Sequence, residues 1–174
     1  MKTDGLIASV RDVLHQGLML LMELDETTYK TVAGAPHSAS IGQHYRHVLD
    51  HFICLADGIA SGVIDYDARS RNRELETNRG SARETTIQLS TLFGSLGTSQ
   101  VAAKYRVLYS VGYSNDEALE IDTLLAREIA FCVSHAIHHF AIIRLVCAHF
   151  SIALPSEFGV APSTLKYRVA QMSA

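Results

Sequence analysis

Apolar residues recur along the chain in four stretches with helical spacing. In the first, about residues 5–24, Leu6, Ile7, Val10, Val13, Leu14, Leu18 and Leu21 keep the i, i+3, i+4 rhythm of a helix with one buried face. The second opens at "SIGQ", where the Ser40 hydroxyl and the Gln43 amide match a capping box, and its pattern continues to about Ser61. "SARE" repeats the device, with Ser81 and Glu84 starting a third helix that reaches about Leu96. A fourth, about 123–150, is predicted to take Asp122 or Thr123 as its cap. Between the third and fourth the period changes. Tyr105, Val107, Tyr109 and Val111 alternate, "SND" at 114–116 supplies a turn, and 118–121 returns, which predicts a short β-hairpin.

These elements imply an all-α domain: a four-helix bundle with a small β-hairpin before the last long helix, and long connections that require at least one crossover. A single domain over 1–174 accounts for the length, with its core at about 4–150 and a C-terminal tail at 151–174. Residues 25–39, which include Gly34 and Pro36, read as a loop. The tail also reads as loop, with Phe158 and Val160 folded back onto the body. The linker 62–80 carries eight charges of both signs, the composition of a solvated crossover. Its Arg69, Arg71 and Arg73 alternatively make a lip suited to an anion.

Composition narrows the functional classes. With 19% charged residues, 48% hydrophobic residues and a formal charge of −3, the chain is of globular type and has no electrostatic reason to bind nucleic acid or an anionic membrane. Its apolar runs fall short of the ~20 residues that span a bilayer. The N-terminus is a poor signal peptide, so a cytoplasmic location is expected. Cys54, Cys132 and Cys147 are odd in number, far apart and set in apolar helical stretches. That predicts buried free thiols rather than disulfides or a zinc finger.

Histidine is where the chemistry concentrates. Six of the nine histidines lie in two short segments, "GQHYRHVLDHF" (42–52) and "SHAIHHF" (134–140). In the first, His44, His47 and His51 share one helical stripe; in the second, His135 and His139 are one turn apart, with His138 beside them. An HxxxH pair places two imidazoles where one ion can grip both, and two facing helices of a bundle are where side-chain metal sites are built. Asp50 and Glu128 are candidates to hold the outer ring nitrogens. The chain has no ExxH pair for a di-iron bundle, no HExxH, no P-loop, no GxGxxG and no GxSxG. A histidine-rich, carboxylate-poor set points to one mononuclear divalent ion, with Zn, Ni and Fe foremost.

"SIGQHYRHVLDHF" followed far downstream by "SHAIHHF" resembles the DinB-like superfamily of metal-dependent bundle proteins over roughly residues 4–150. The family pattern opens the second helix with Ser/Thr-apolar-Gly and a following histidine, here Ser40-Ile41-Gly42 and His47. It then places His-x-x-x-His in the fourth, here His135 and His139. The resemblance implies an up-down-down-up bundle, one divalent metal on His47, His135 and His139, and a homodimer. Relatives include thiol-dependent S-transferases. Many follow the last histidine with Arg-Gly-Gln, whereas this chain has Phe140-Ala141-Ile142.

Three protein ligands leave a position for water or substrate, as catalytic metal sites do. The expected function is therefore a metal-dependent S-transferase or hydrolase acting on a small-molecule substrate, with a low-molecular-weight thiol or water as the activated group. His51 or His138 would serve as a fourth ligand or as a general base. The alternative is a non-catalytic metal-binding homodimer whose shell is closed by a fourth imidazole.

Overall fold

The computed structural model describes residues 3–35, 38–113 and 118–172, so Pro36 and the "SND" turn lie outside the described residues. In chain order the elements are α1 (Thr3–Glu23), α2 (Glu26–Lys30), α3 (Ile41–Ser61), β1 (Val63–Asp65), α4 (Glu74–Thr77), α5 (Arg79–Gly94), α6 (Thr98–Val101), β2 (Lys104–Tyr109), β3 (Leu119–Leu124), α7 (Leu125–His149) and α8 (Pro162–Met172). The four long helices α1, α3, α5 and α7 correspond to the four predicted stretches. α1 packs on α5 and α7, and α3 packs on the same two. Their apolar faces close on one core that includes Leu14, Leu21, Leu49, Phe52, Phe93, Ile129 and Phe140. All three cysteines are buried and free, as expected. By length and composition α7 could cross a membrane; in this fold one face of it is packed against α1 and α3.

The start of α3 is built as its sequence indicates. Ser40 accepts from the Gln43 backbone N–H at 3.0 Å, and the Gln43 side chain accepts from the Ser40 N–H at 2.9 Å. Gly42 serves a different need. A Cβ there would overlap the Glu76 carbonyl, so the absence of a side chain is what lets α4 lie against the first turn of α3. The helix ends at Gly62, whose φ of 77° is the left-handed cap conformation that glycine adopts without strain. The chain then enters β1 directly.

The hairpin is larger than expected. β2 and β3 pair antiparallel, with Val107 opposite Ile121, and β1 adds a parallel strand on the far side of β2, giving the order β1-β2-β3. β1 comes from the linker, where three residues are too few to show alternation.

Four other expectations are corrected. Residues 25–39 are not loop throughout, because Asp25 accepts from the Thr28 N–H at 2.8 Å and caps the short helix α2. α5 begins at Arg79, not Ser81: Asn78 is the cap and accepts from the Ser81 N–H at 3.0 Å. The earlier start is anchored from outside the helix, since Arg79 donates its backbone N–H to Glu26 and a guanidinium N–H to the Leu21 carbonyl. Asp122 and Thr123 do not cap α7, because β3 runs through both and passes straight into the helix after Leu124. The Leu125 N–H is satisfied instead by the Ala103 carbonyl at 3.1 Å. The tail contains α8, which starts at Pro162, a residue whose fixed φ and missing N–H suit a first helical position. Residues between α7 and α8 do fold back: Phe158 is buried and stacks on Phe140 at 5.0 Å.

A Gly42→Ala substitution should cost about 1–3 kcal/mol, because a methyl group is forced against backbone in a packed contact. Urea denaturation of the variant beside the parent measures it. An unchanged midpoint would mean that α4 is free to move away.

Candidate metal centre

The α3–α7 contact brings the two histidine segments face to face. His47 and His51 project one turn apart from α3, and His135 and His139 one turn apart from α7. The ring centroids of His47 lie 5.0 Å from His135 and 4.5 Å from His139, and those of His135 and His139 are 4.6 Å apart. The Nε2 atoms of His47 and His135 are 3.0 Å apart. Around a tetrahedral ion with bonds of about 2.0–2.1 Å, ligand nitrogens sit roughly 3.3 Å from one another. One ring nitrogen from each of His47, His135 and His139 falls within 4.8 Å of the other two. The set therefore fits a single ion, with modest ring rotations needed to close the third side.

The electrostatics agree with the geometry. Burial first, and the charges of neighbouring groups after it, lower the pKa of His47 and His139 to about 3 and of His51 and His135 to about 4. All four rings are thus neutral near pH 7, the form that ligates a metal. His47, His135 and His139 are half-buried, so the group is reachable from solvent.

The remaining histidines take distinct places. His51 is only 4% exposed. Its Nδ1–H donates to the His47 carbonyl at 2.9 Å, which leaves Nε2 with a lone pair, and that atom receives Arg69 Nη1 at 3.3 Å. His44 Nδ1 lies 3.2 Å from His139 Nδ1, so His44 is hydrogen-bonded to the ring of a candidate ligand. His138 is exposed, with its ring centroid 5.2 Å from that of His139. Spacing alone revealed that His44 belongs to the stripe; the tertiary pairing with His139 is what gives it a role.

Asp50 and Glu128 do not hold the imidazoles as expected. Asp50 accepts from Arg46 at 2.8 Å, on the side of α3 that faces α4. Glu128 lies seven residues before His135, about 10 Å down the helix axis. There its carboxylate, 1% exposed, accepts from the Tyr66 hydroxyl at 3.1 Å and from Thr123 at 2.7 Å, and pairs with Arg127 at 3.2 Å. Of the three linker arginines, Arg69 alone reaches the site. Arg71 is exposed, and Arg73 pairs with Glu76.

Beside the histidines a cleft of about 600 Å³ opens between β2, β3 and the first turns of α7. Its walls include Tyr66, Val107, Tyr109, Ile121 and Phe131, with Lys104 and Arg127 among the polar lining. Two of these rings join it to the site: Phe131 stacks on His135 at 5.7 Å and Tyr66 on His51 at 5.6 Å. Neither ring carried a signal in the sequence. The nearby Cys132 thiol, 3.5 Å from the Tyr66 hydroxyl, is pushed up to about 12 by burial, which suits a packed thiol and not a nucleophile.

No family model matches the chain. FK506-binding protein 5 from Rhizopus delemar is 30% identical over 105 residues, which is 60% of this chain and 27% of that protein. The chain thus matches about a quarter of that relative's length. A crystal structure of a DinB-like protein from Bacillus subtilis aligns with a TM-score of 0.62 over 91% of this chain and 99% of that one, at 15% identity. The fold is DinB-like, as the histidine pattern led us to expect: mostly helical, with a small three-stranded sheet and a three-histidine group that could hold a metal ion.

The depressed histidines make stability depend on pH in a definite direction. Unfolded histidine binds a proton near pH 6.5, whereas these four resist protonation until about pH 3–4. Between those limits the unfolded state holds more protons, so stability falls as pH falls. Chelator-treated protein should show a constant urea midpoint above about pH 7 and a progressive loss from pH 6.5 to 4. A His47→Phe/His135→Leu variant should lose part of that slope.

Proposed function

We propose that the protein is a metal-dependent enzyme, a thiol S-transferase or a hydrolase, that acts on a small molecule at His47, His135 and His139. The convergence of three neutral imidazoles from two helices carries this reading. A bound divalent ion, Zn, Ni or Fe, would lower the proton affinity of a coordinated thiol or water near neutral pH. His47, His135 and His139 would hold it, with His44 orienting His139. The adjoining cleft would take the body of the substrate against Tyr66 and Phe131. Its volume falls in the range of small-molecule sites. His51 has its Nδ1 proton held by the His47 carbonyl and its Nε2 engaged by Arg69 Nη1, so it serves to position Arg69, and exposed His138, beside His139, is left as the candidate proton acceptor. The up-down-down-up helix order belongs to this same proposal.

A second reading rests on the close approach of His51, whose ring centroid is 4.0 Å from that of His135. Turned inward, it would complete a closed four-imidazole shell, and the protein would be a metal-binding homodimer without catalysis.

Two measurements test these readings. Metal analysis of untagged protein should find about one ion per chain, and almost none in a His135→Ala/His139→Ala variant; a parent that stays metal-free after reconstitution overturns both. In His51→Ala, full metal content supports the open site, and loss of metal supports the closed one.

A further inference from the structure

Arg69 lies against His51 at the edge of the site just described and pairs with no carboxylate among the described residues. Its one hydrogen bond among the described residues goes to an imidazole nitrogen, His51 Nε2, at 3.3 Å, a long contact to a neutral acceptor. Its Nε is buried and has no partner. None of the ion pairs among the described residues includes it: Arg46 pairs with Asp50 Oδ2, leaving Oδ1 buried without a partner, Glu76 pairs with Arg46 and Arg73, and Glu128 with Arg127. Its charge is nonetheless felt at His47, His51 and His135, where it opposes protonation. Arg71 and Arg73, two and four residues on, face solvent instead.

A guanidinium is a planar fork of donors that matches a carboxylate, and a buried N–H left without an acceptor is costly. Here the Nη1 donor is used to seat the group on His51, and the Nε–Nη2 edge has no acceptor from the described residues. The neighbouring candidate ligands are three neutral imidazoles, so a divalent ion bound there would add to the positive charge of Arg69, which no carboxylate of the described residues pairs with. Asp122 and Glu128 line the adjoining cleft, but neither pairs with Arg69.

We propose that Arg69 is the anion-docking residue of this site, and that the small molecule taken there carries a carboxylate or a similar planar oxyanion received on the Nε–Nη2 edge. This rests on the metal-site reading above and names its substrate class. His51 acts in it as a positioning residue that holds the guanidinium in place. The charge-bearing end of the ligand then lies at the histidines and its apolar body extends over Tyr66 and Phe131.

The test uses cobalt(II)-loaded full-length protein, with benzoate as the anionic probe and benzamide as its neutral counterpart, at constant ionic strength. Visible absorption of the cobalt follows the titration, and metal content is measured in each sample. Benzoate should shift the spectrum of the parent, while benzamide at the same concentrations should not. Arg69→Met should keep its cobalt and bind benzoate at least tenfold more weakly, and Arg69→Lys should recover part of the loss by keeping the charge without the fork. Equal benzoate affinity in parent and Arg69→Met, or equal binding of benzamide, overturns the proposal. If the parent takes no cobalt, the metal-site reading fails separately. Calorimetry on the metal-free protein then decides: benzoate binding that Arg69→Met abolishes upholds the guanidinium's role, and no benzoate binding by the parent overturns it.

Discussion

The site depends on the contact between α3 and α7, because that contact alone makes six dispersed histidines into a cluster. Packing imidazoles at centroid distances of 4.0–5.0 Å is tolerable only if they are uncharged. Burial enforces that state, and one ring nitrogen from each of His47, His135 and His139 comes within 4.8 Å of the other two. The fit of the group to a metal ion is thus a consequence of how these two helices pack. The core around it does the holding: Leu49, Phe52, Ile129 and Phe140 sit on the same two helices and are fully buried or nearly so.

The glycine-containing opening of α3 shows how a motif can be diagnostic without touching the chemistry. Ser40 and Gln43 set where the helix starts, and Gly42 sets how near α4 can approach. Together they fix the rotation of α3 about its axis, and with it the direction in which His47 points. The pattern reads as a metal-site signature although none of these three residues lies in the histidine cluster.

Periodicity in the sequence made the four long helices, the β2–β3 pairing and the two histidine pairs legible, since each is a local property of spacing. What escaped was set by tertiary partners. The starts of α5 and α7 moved because groups remote in sequence hold them: Glu26 accepts the Arg79 backbone N–H and Leu21 its guanidinium, beside the Asn78 cap, and Ala103 accepts the Leu125 N–H. β1 is too short to announce itself. Glu128 shares a helix stripe with His135 yet serves Tyr66 and Thr123, because a stripe gives direction and not depth along the axis. Arg69 could not be told from Arg71 and Arg73 by composition; only the fold of the linker separates the one that turns inward.

The three-stranded sheet has a mechanical consequence. β1 leaves α3 across a single glycine, and β3 enters α7 with no intervening loop, so the sheet clasps the same two helices whose faces carry the histidines. Strand register and helix phase are therefore geared to each other. One residue inserted between β3 and His135 would turn the downstream helix by about 100°, carrying His135 and His139 away from α3 while leaving every hydrogen bond of the ladder intact.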